Sequence, residues 1–168
     1  FNRAWSLAPE MAEPYFGFAG LLEKQGNRIE AERFYKLGIE KDTLGEHGGD
    51  CFLLIAECMD ELDDTMAVIR SYRRLTEYEY EDPYGFNLLG LVYLDKMQFD
   101  SASFYFNKAL QMDSLDAFTL HNFGFFYFLK KDYKKALQHY SRSIEFESQF
   151  ISAYLNRGIC YLKMKYFV

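Results

Sequence analysis

Apolar residues recur along this chain at the spacing of a single helical face, and that spacing is itself repeated every 34 residues. Between Tyr84 and Lys96 the apolar positions Phe86, Leu89, Val92 and Tyr93 follow the rhythm of an amphipathic helix. The pattern breaks at Gln98-Phe99-Asp100, and a second amphipathic run passes through Ala102, Phe106, Ala109 and Leu110. No run keeps the two-residue alternation of a half-buried strand. The pattern predicts helix pairs joined by short turns in an all-α chain.

Identical or similar residues hold the same step. Gly90, Gly124 and Gly158 are 34 apart, as are Tyr93, Tyr127 and Tyr161, and Phe99, Tyr133 and Phe167. Ala102 and Ala136, Phe106 and Tyr140, and Ala109 and Ser143 keep it too. The register extends backwards through Ala56, Met59, Val68, Tyr72 and Leu75. Three extra residues intervene in the turn-rich stretch Leu44 to Gly49, and the columns resume at Ala19, Leu22, Ala31, Tyr35 and Gly38. The chain therefore reads as one array: a half repeat at 1–11, full repeats at 12–45, 49–82, 83–116 and 117–150, and a half repeat at 151–168. Both ends cut through a unit, so a longer array is expected. A fixed period of this length marks a solenoid, in which each unit buries its apolar face against its neighbours.

Glycine inside a helix costs about 1 kcal/mol relative to alanine, so three in register call for a packing reason. Close approach of the two helices of a pair supplies it, with Ala102 and Ala136 on the facing helix and Tyr93, Tyr127, Phe106 and Tyr140 filling the surrounding space. Pro14 and Pro83 stand where the first helix of a pair begins, a place that tolerates a missing N–H. Ser114 and Ser148 follow a second helix and are expected to cap the next one.

Phe86-x-x-Leu89-Gly90-x-x-Tyr93 with Ala102-x-x-x-Phe106, and Leu120-x-x-Phe123-Gly124-x-x-Tyr127 with Ala136-x-x-x-Tyr140, resemble the tetratricopeptide repeat (TPR) family. The resemblance covers essentially the whole chain. It implies a right-handed superhelical solenoid of antiparallel helix pairs. The departures are Val68 where the second helix prefers Ala, Arg157 in place of the Leu before Gly158, and a terminal proline that survives only at Pro9.

The net charge of −6 is unevenly placed: residues 12–82 carry 17 acidic and 8 basic side chains, and residues 83–168 carry 7 and 10. That acidity argues against nucleic acid as a partner, because phosphate binding needs clustered Lys and Arg. Lys130, Lys131, Lys134 and Lys135 form the compact basic cluster, and they straddle a turn where solvated charge is the ordinary explanation. The apolar stretch Phe123–Leu129 is far short of the roughly 20 residues that span a bilayer, so membrane insertion is not expected. No signal peptide is visible, and Cys51, Cys58 and Cys160 fit reduced thiols in packing positions, consistent with a cytoplasmic location.

Catalytic and metal-binding patterns are thin. His47, His121 and His139 form no His-x-x-x-His or Glu-x-x-His pair on one helical face. Asp60, Glu61, Asp63 and Asp64 lack the turn glycine of a calcium loop, and Gly45-x-x-Gly48-Gly49 follows no strand and carries no Lys-Ser/Thr. No enzyme activity, metal or cofactor is expected.

Function is then expected from a surface. The resemblance implies that first helices line a concave groove in which a partner docks as a peptide or helix. The acidic candidates are Glu13, Asp50, Glu57, Asp60 and Glu61, which favour Lys or Arg in the partner. The apolar candidates are Leu91, Leu94, Phe125, Phe128, Leu155 and Ile159, which favour an amphipathic helix or a second copy of this chain. Asn87, His121, Asn122 and Asn156 complete the set. The lysine-rich carboxylate clamp of the family's chaperone-binding members is missing, because the first two full units offer Glu, Asp, Gly and Phe at those columns. Two readings follow: a non-catalytic protein-interaction scaffold, or a substrate-recruiting arm of a larger enzyme such as a glycosyltransferase. The second rests on Asn122 and Asn156, one repeat apart, because a carboxamide both donates and accepts and so reads peptide backbone.

Overall fold

The structure, a computed structural model, describes residues 12–41, 48–60, 64–78 and 82–166. The expected half repeat at 1–11 and the turn-rich residues 42–47 lie outside them, while Gly48 and Gly49 already belong to a helix. Two compact units are present, Phe1–Tyr80 and Glu81–Val168. Within the first, the described residues form α1 (Glu13–Lys24), α2 (Arg28–Lys41), α3 (Gly48–Asp60) and α4 (Thr65–Tyr78). Within the second they form α5 (Tyr84–Asp95), α6 (Phe99–Met112), α7 (Ala117–Leu129), α8 (Tyr133–Phe146) and α9 (Ile151–Tyr166). No strand occurs among the described residues. The helices pack as consecutive pairs, α1 on α2, α3 on α4, α5 on α6 and α7 on α8, with α9 laid against α7 and α8.

The turn inside three of the pairs has a repeated backbone solution. Gly26, Met97 and Lys131 all adopt positive φ, at 78°, 56° and 62°, and they are equivalent positions of three repeats. The N–H of each reaches back to a carbonyl three residues earlier, and the next N–H reaches five back, as in Met97 to Leu94 (2.9 Å) and Gln98 to Tyr93 (2.8 Å). Two carbonyls at the end of the first helix are satisfied in this way, and the chain reverses within three residues.

Three of the helix starts use aspartate as the capping acceptor. Asp116 accepts from the N–H groups of Phe118 (3.2 Å) and Thr119 (3.0 Å) at the head of α7, and Asp132 accepts from Lys135 (3.2 Å) at the head of α8. Asp64 does the same for Ala67 ahead of α4. Ser114, expected as a cap, instead offers its carbonyl to the Arg142 guanidinium at 3.1 Å. The carboxylate wins because Asp116 is the residue adjoining the helix, where its side chain reaches the free N–H groups. Pro14 lies in the first turn of α1, and Pro83 immediately precedes α5, as the pattern predicts.

The glycines sit under aromatic rings. A Cβ placed on Gly90 would lie 2.5 Å from the ring of Phe106, and one on Gly124 would lie 2.7 Å from the ring of Tyr140. Both rings are fully buried. In the first pair the same contact is reversed, with Gly38 on α2 facing the ring of Phe16 on α1. Gly158 differs, because an added Cβ there meets nothing within 4 Å.

Aromatic packing then carries the core from one pair to the next. Phe106 meets Phe123 at 5.6 Å and Phe126 at 6.5 Å, while Phe99 meets Phe126 at 5.8 Å. Leu94 and Ala102 complete this cluster. Tyr140, Ala136 and Cys160 form the next one, joining α8 to α9. Ser143 adds a buried hydrogen bond from its hydroxyl to the Ala117 carbonyl at 2.8 Å.

The same residue type in the same column should therefore respond with opposite sign. Gly124→Ala drives a methyl into the Tyr140 ring and is expected to cost about 1–3 kcal/mol. Gly158→Ala removes a helix-interior glycine without a clash and is expected to gain up to about 1 kcal/mol. Thermal and urea unfolding of both variants check this, with exposed Lys134→Ala as a reference expected to stay within about 0.5 kcal/mol. A loss at both glycines would refute the packing role assigned to the rings. The turn supplies a second expectation: Lys131→Gly relieves a left-handed, side-chain-bearing residue and should stabilise by on the order of 1 kcal/mol in the same assay.

Candidate functional site

The first helices of the second unit, α5, α7 and α9, lie side by side, since α7 contacts both of the others. The apolar face they present is partly open. Phe125 is 38% exposed and its ring runs parallel to that of Phe128 at 6.3 Å. Leu155 on α9 is 63% exposed. Ile159 is half-buried. Phe128 and Leu91 serve two purposes: both are half-buried, and each also packs against a core cluster. Leu94, expected on this face, belongs to the core beside Phe106 and Phe123. Its position one turn past Leu91 brings it round towards α6, whose Ala102 leaves room for it.

The polar candidates are drawn together into one chain of hydrogen bonds. Asn122 donates from Nδ2 to Oδ1 of Asn87 at 3.0 Å. Its own Oδ1 lies 3.2 Å from Nδ1 of His121, and Nε2 of His121 lies 3.0 Å from Nδ2 of Asn156. Four side chains on three successive first helices are thus linked without interruption. Asn87 is almost wholly buried, and the other three are half-buried. Burial lowers the pKa of His121, an effect that its bond to Asn122 opposes. The free peptide-reading ladder expected from Asn122 and Asn156 is accordingly changed: Asn122 has committed its oxygen and one N–H to neighbouring side chains.

In the first unit, Glu57 and Asp60 are exposed on α3. The backbones of Glu13 and Asp50 lie in the first turns of α1 and α3, but their side chains, like all of Glu61, fall outside the described residues. A cleft of about 510 Å³ opens elsewhere in this unit, over Ile39, Phe52 and Ile55. Its rim is ion-paired, Lys36 with Glu32 and Arg74 with Glu77.

Groups with catalytic potential are placed as core. Cys160 is buried and unpaired, and burial pushes its thiol up to about 11. His139 lies parallel to Tyr127 at 5.2 Å and against Phe123 at 4.8 Å, with a buried Nδ1 that has no hydrogen-bond partner. Burial, and then the positive charges of Arg142 and Lys135, hold its pKa down at about 4. No group of His, Cys, Asp or Glu able to hold a metal ion occurs among the described residues. Nor is any helix among them long and apolar enough to cross a membrane.

Comparison with known proteins agrees with this architecture. A family model described as TPR repeat matches residues 124–165, and one described as tetratricopeptide repeat matches residues 84–114. The chain is a tetratricopeptide repeat array. Among solved structures it is similar to YrrB, a TPR protein with an unusual peptide-binding site, at 21% identity and a TM-score of 0.67, over 98% of this chain and 84% of that one. It is similar to a chain of the APC/C hetero-tetramer Cut9–Hcn1 at 17% identity and a TM-score of 0.75, over 98% of this chain and 32% of that one. A tetratricopeptide repeat protein from Parabacteroides merdae gives 15% identity and a TM-score of 0.75, over 89% and 58%. At these identities the likeness shows the fold. No curated protein sequence matches the chain. TPR arrays are in general non-catalytic scaffolds for protein interaction.

The half-buried imidazole of His139 makes the array acid-sensitive in a defined direction. Its folded pKa of about 4 lies below the 6.5 of an exposed imidazole, so the unfolded chain binds the proton more readily. The stability it contributes is full above pH 6.5 and is lost as pH falls towards 4. Replacing it by phenylalanine keeps the ring stack and removes the titration. Circular dichroism melting should show a smaller drop in Tm between about pH 7 and about pH 5 for His139→Phe than for the wild type.

Proposed function

We propose that this array is a protein-interaction scaffold whose first-helix face, in the second unit, binds a helical or extended segment of a partner protein. The observation that carries the reading is the pair of exposed apolar side chains, Phe125 on α7 and Leu155 on α9, on neighbouring first helices whose polar residues are already hydrogen-bonded to each other. Exposed aromatic and aliphatic groups gathered on one face are the usual centre of an interface. Their neighbours Asn122 and Asn156 keep spare capacity for a polar contact at the edge. YrrB, similar in fold, is a TPR protein with a peptide-binding site, which supports a peptide-like ligand.

In the first unit taken by itself, the exposed carboxylates of Glu57 and Asp60 favour segments carrying Lys or Arg. Exposed charges act mainly on association rate and are screened by salt. A second copy of this chain is a further candidate occupant of the apolar face.

The test replaces two exposed side chains, Phe125→Glu and Leu155→Glu, and captures partners from native extract alongside wild type. The double variant should keep wild-type helicity and lose at least 10-fold in partner recovery, equivalent to about 1.4 kcal/mol. A folded variant that retains every partner would remove this face as the binding surface. Size-exclusion chromatography of the same pair separates self-association from capture of another protein.

A further inference from the structure

The hydrogen-bond chain across α5, α7 and α9 has a direction. Asn122 gives its N–H to Asn87, which turns the Asn122 oxygen towards His121. A carbonyl oxygen only accepts, so Nδ1 of His121 carries the proton and Nε2 presents its lone pair to the Asn156 N–H. Donation therefore runs one way, from Asn156 through His121 and Asn122 to Asn87. In this state Asn156 has committed an N–H to the ring, and its Oδ1 has no partner among the described residues.

Protonation of the ring changes one contact. A second N–H appears at Nε2, and at 3.0 Å it faces the N–H of Asn156. Asn122 is held from both sides, whereas Asn156 ends the chain and is half-buried. A half-turn of the Asn156 carboxamide restores the bond, because its terminal torsion is broad and roughly two-fold. The bond then runs from Nε2–H to Oδ1, and the amide N–H groups are left over in place of the oxygen.

We propose that His121 is a proton-operated switch of the hydrogen-bond polarity that the first-helix face offers its ligand. With the neutral imidazole, Asn156 offers its oxygen as an acceptor beside one remaining N–H, suited to a backbone N–H or a cationic side chain. With the imidazolium it offers donors, suited to a carbonyl or carboxylate. The inference rests on the reading of this face as the binding surface.

The surroundings of the ring leave the decision to burial and to this rung. From α8 comes Tyr140, at 5.5 Å between ring centroids, its phenol pushed up by burial and kept neutral. Phe150, just before α9, covers the imidazole at 4.7 Å. α9 contributes Asn156 and, beside Tyr140, the neutral thiol of Cys160. α5 contributes Asn87, which reaches His121 through Asn122. None of these is charged near neutral pH, and burial places the switch below the 6.5 of an exposed imidazole.

The experiment is a nitrogen-resolved NMR titration of the full, ligand-free chain from about pH 8 to about pH 4.5, the range in which imidazoles titrate. At neutral pH His121 should be the Nδ1–H tautomer. The Asn156 carboxamide resonances should shift on acidification with the midpoint of His121 and stay flat in His121→Phe, which keeps a ring between Tyr140 and Phe150. An Nε2–H tautomer, or Asn156 resonances that ignore the His121 midpoint, overturns the switch. His139 titrates near 4 and is separated by assignment and by its own variant. No ligand enters the measurement, so its outcome is independent of the partner-capture test of Phe125 and Leu155.

Discussion

The fold depends on a ring placed where a side chain is missing. Phe106 over Gly90 and Tyr140 over Gly124 set the distance between the two helices of a pair, because the space a Cβ would occupy is already taken by an aromatic carbon. Each such glycine weakens its own helix by about 1 kcal/mol, and burying a whole aromatic ring offsets that several times over. The reversed contact, Phe16 against Gly38, shows that the constraint is on volume at the crossing and not on which helix supplies the ring. Once the ring is fixed, the side chains on either side of the glycine have no freedom of role. Phe123 and Phe126, on either side of Gly124, pack onto Phe106 of the preceding pair, and residues on the opposite flank are left to the surface.

Aromatic packing alone specifies separation better than rotation, since rings meet favourably over a range of angles. In this core the Phe106 ring meets Phe123 at an interplanar angle of 34° and Phe126 at 74°. The side-chain chain Asn87–Asn122–His121–Asn156 supplies a directional restraint that such packing lacks. A hydrogen bond near 3.0 Å holds only if neighbouring first helices keep their rotation and height. Partly buried polar networks of this kind bind strongly when every member is satisfied and are costly when one is not. The same four residues therefore orient the helices and determine what polar groups the face has left to offer.

The fold was legible because its determinants are column properties. Gly90, Gly124, Tyr93, Tyr127, Phe106 and Tyr140 announce the pairs by spacing alone, and the turn reappears as Gly26, Met97 and Lys131 at equivalent positions. The site was legible only in part. Matching columns 34 apart put Asn122 above Asn156, yet the bonds run from Asn87 to Asn122 and from His121 to Asn156, each 35 apart. A column marks equivalent places in two repeats, whereas contact depends on how far one helix is displaced along its neighbour. Leu94 escaped for a similar reason, as the three-residue step from Leu91 turns a side chain about 60° round the helix, here towards the second-helix side. One signal did point to the network: His121 and Asn122 are adjacent polar residues in the otherwise apolar run of α7, and partly buried polar groups need partners.

Exposure separates recognition from packing on this face. Leu89, Leu120 and Phe123 are apolar and buried, so their chemistry is explained by the core. Phe125 and Leu155 are apolar and open, and neither the helix pair nor the inter-pair cluster accounts for them. A lone exposed apolar residue calls for no explanation, but two on adjacent first helices, beside a polar chain with an unused acceptor at Asn156, make a surface with both area and direction. An apolar anchor gives a ligand affinity with little regard to orientation, while a single acceptor at a fixed place selects which part of the ligand backbone or side chain lies beside it. The two features are supplied by neighbouring positions of the same helices, so the rigidity that the glycine contacts give the array is passed directly to the surface it presents.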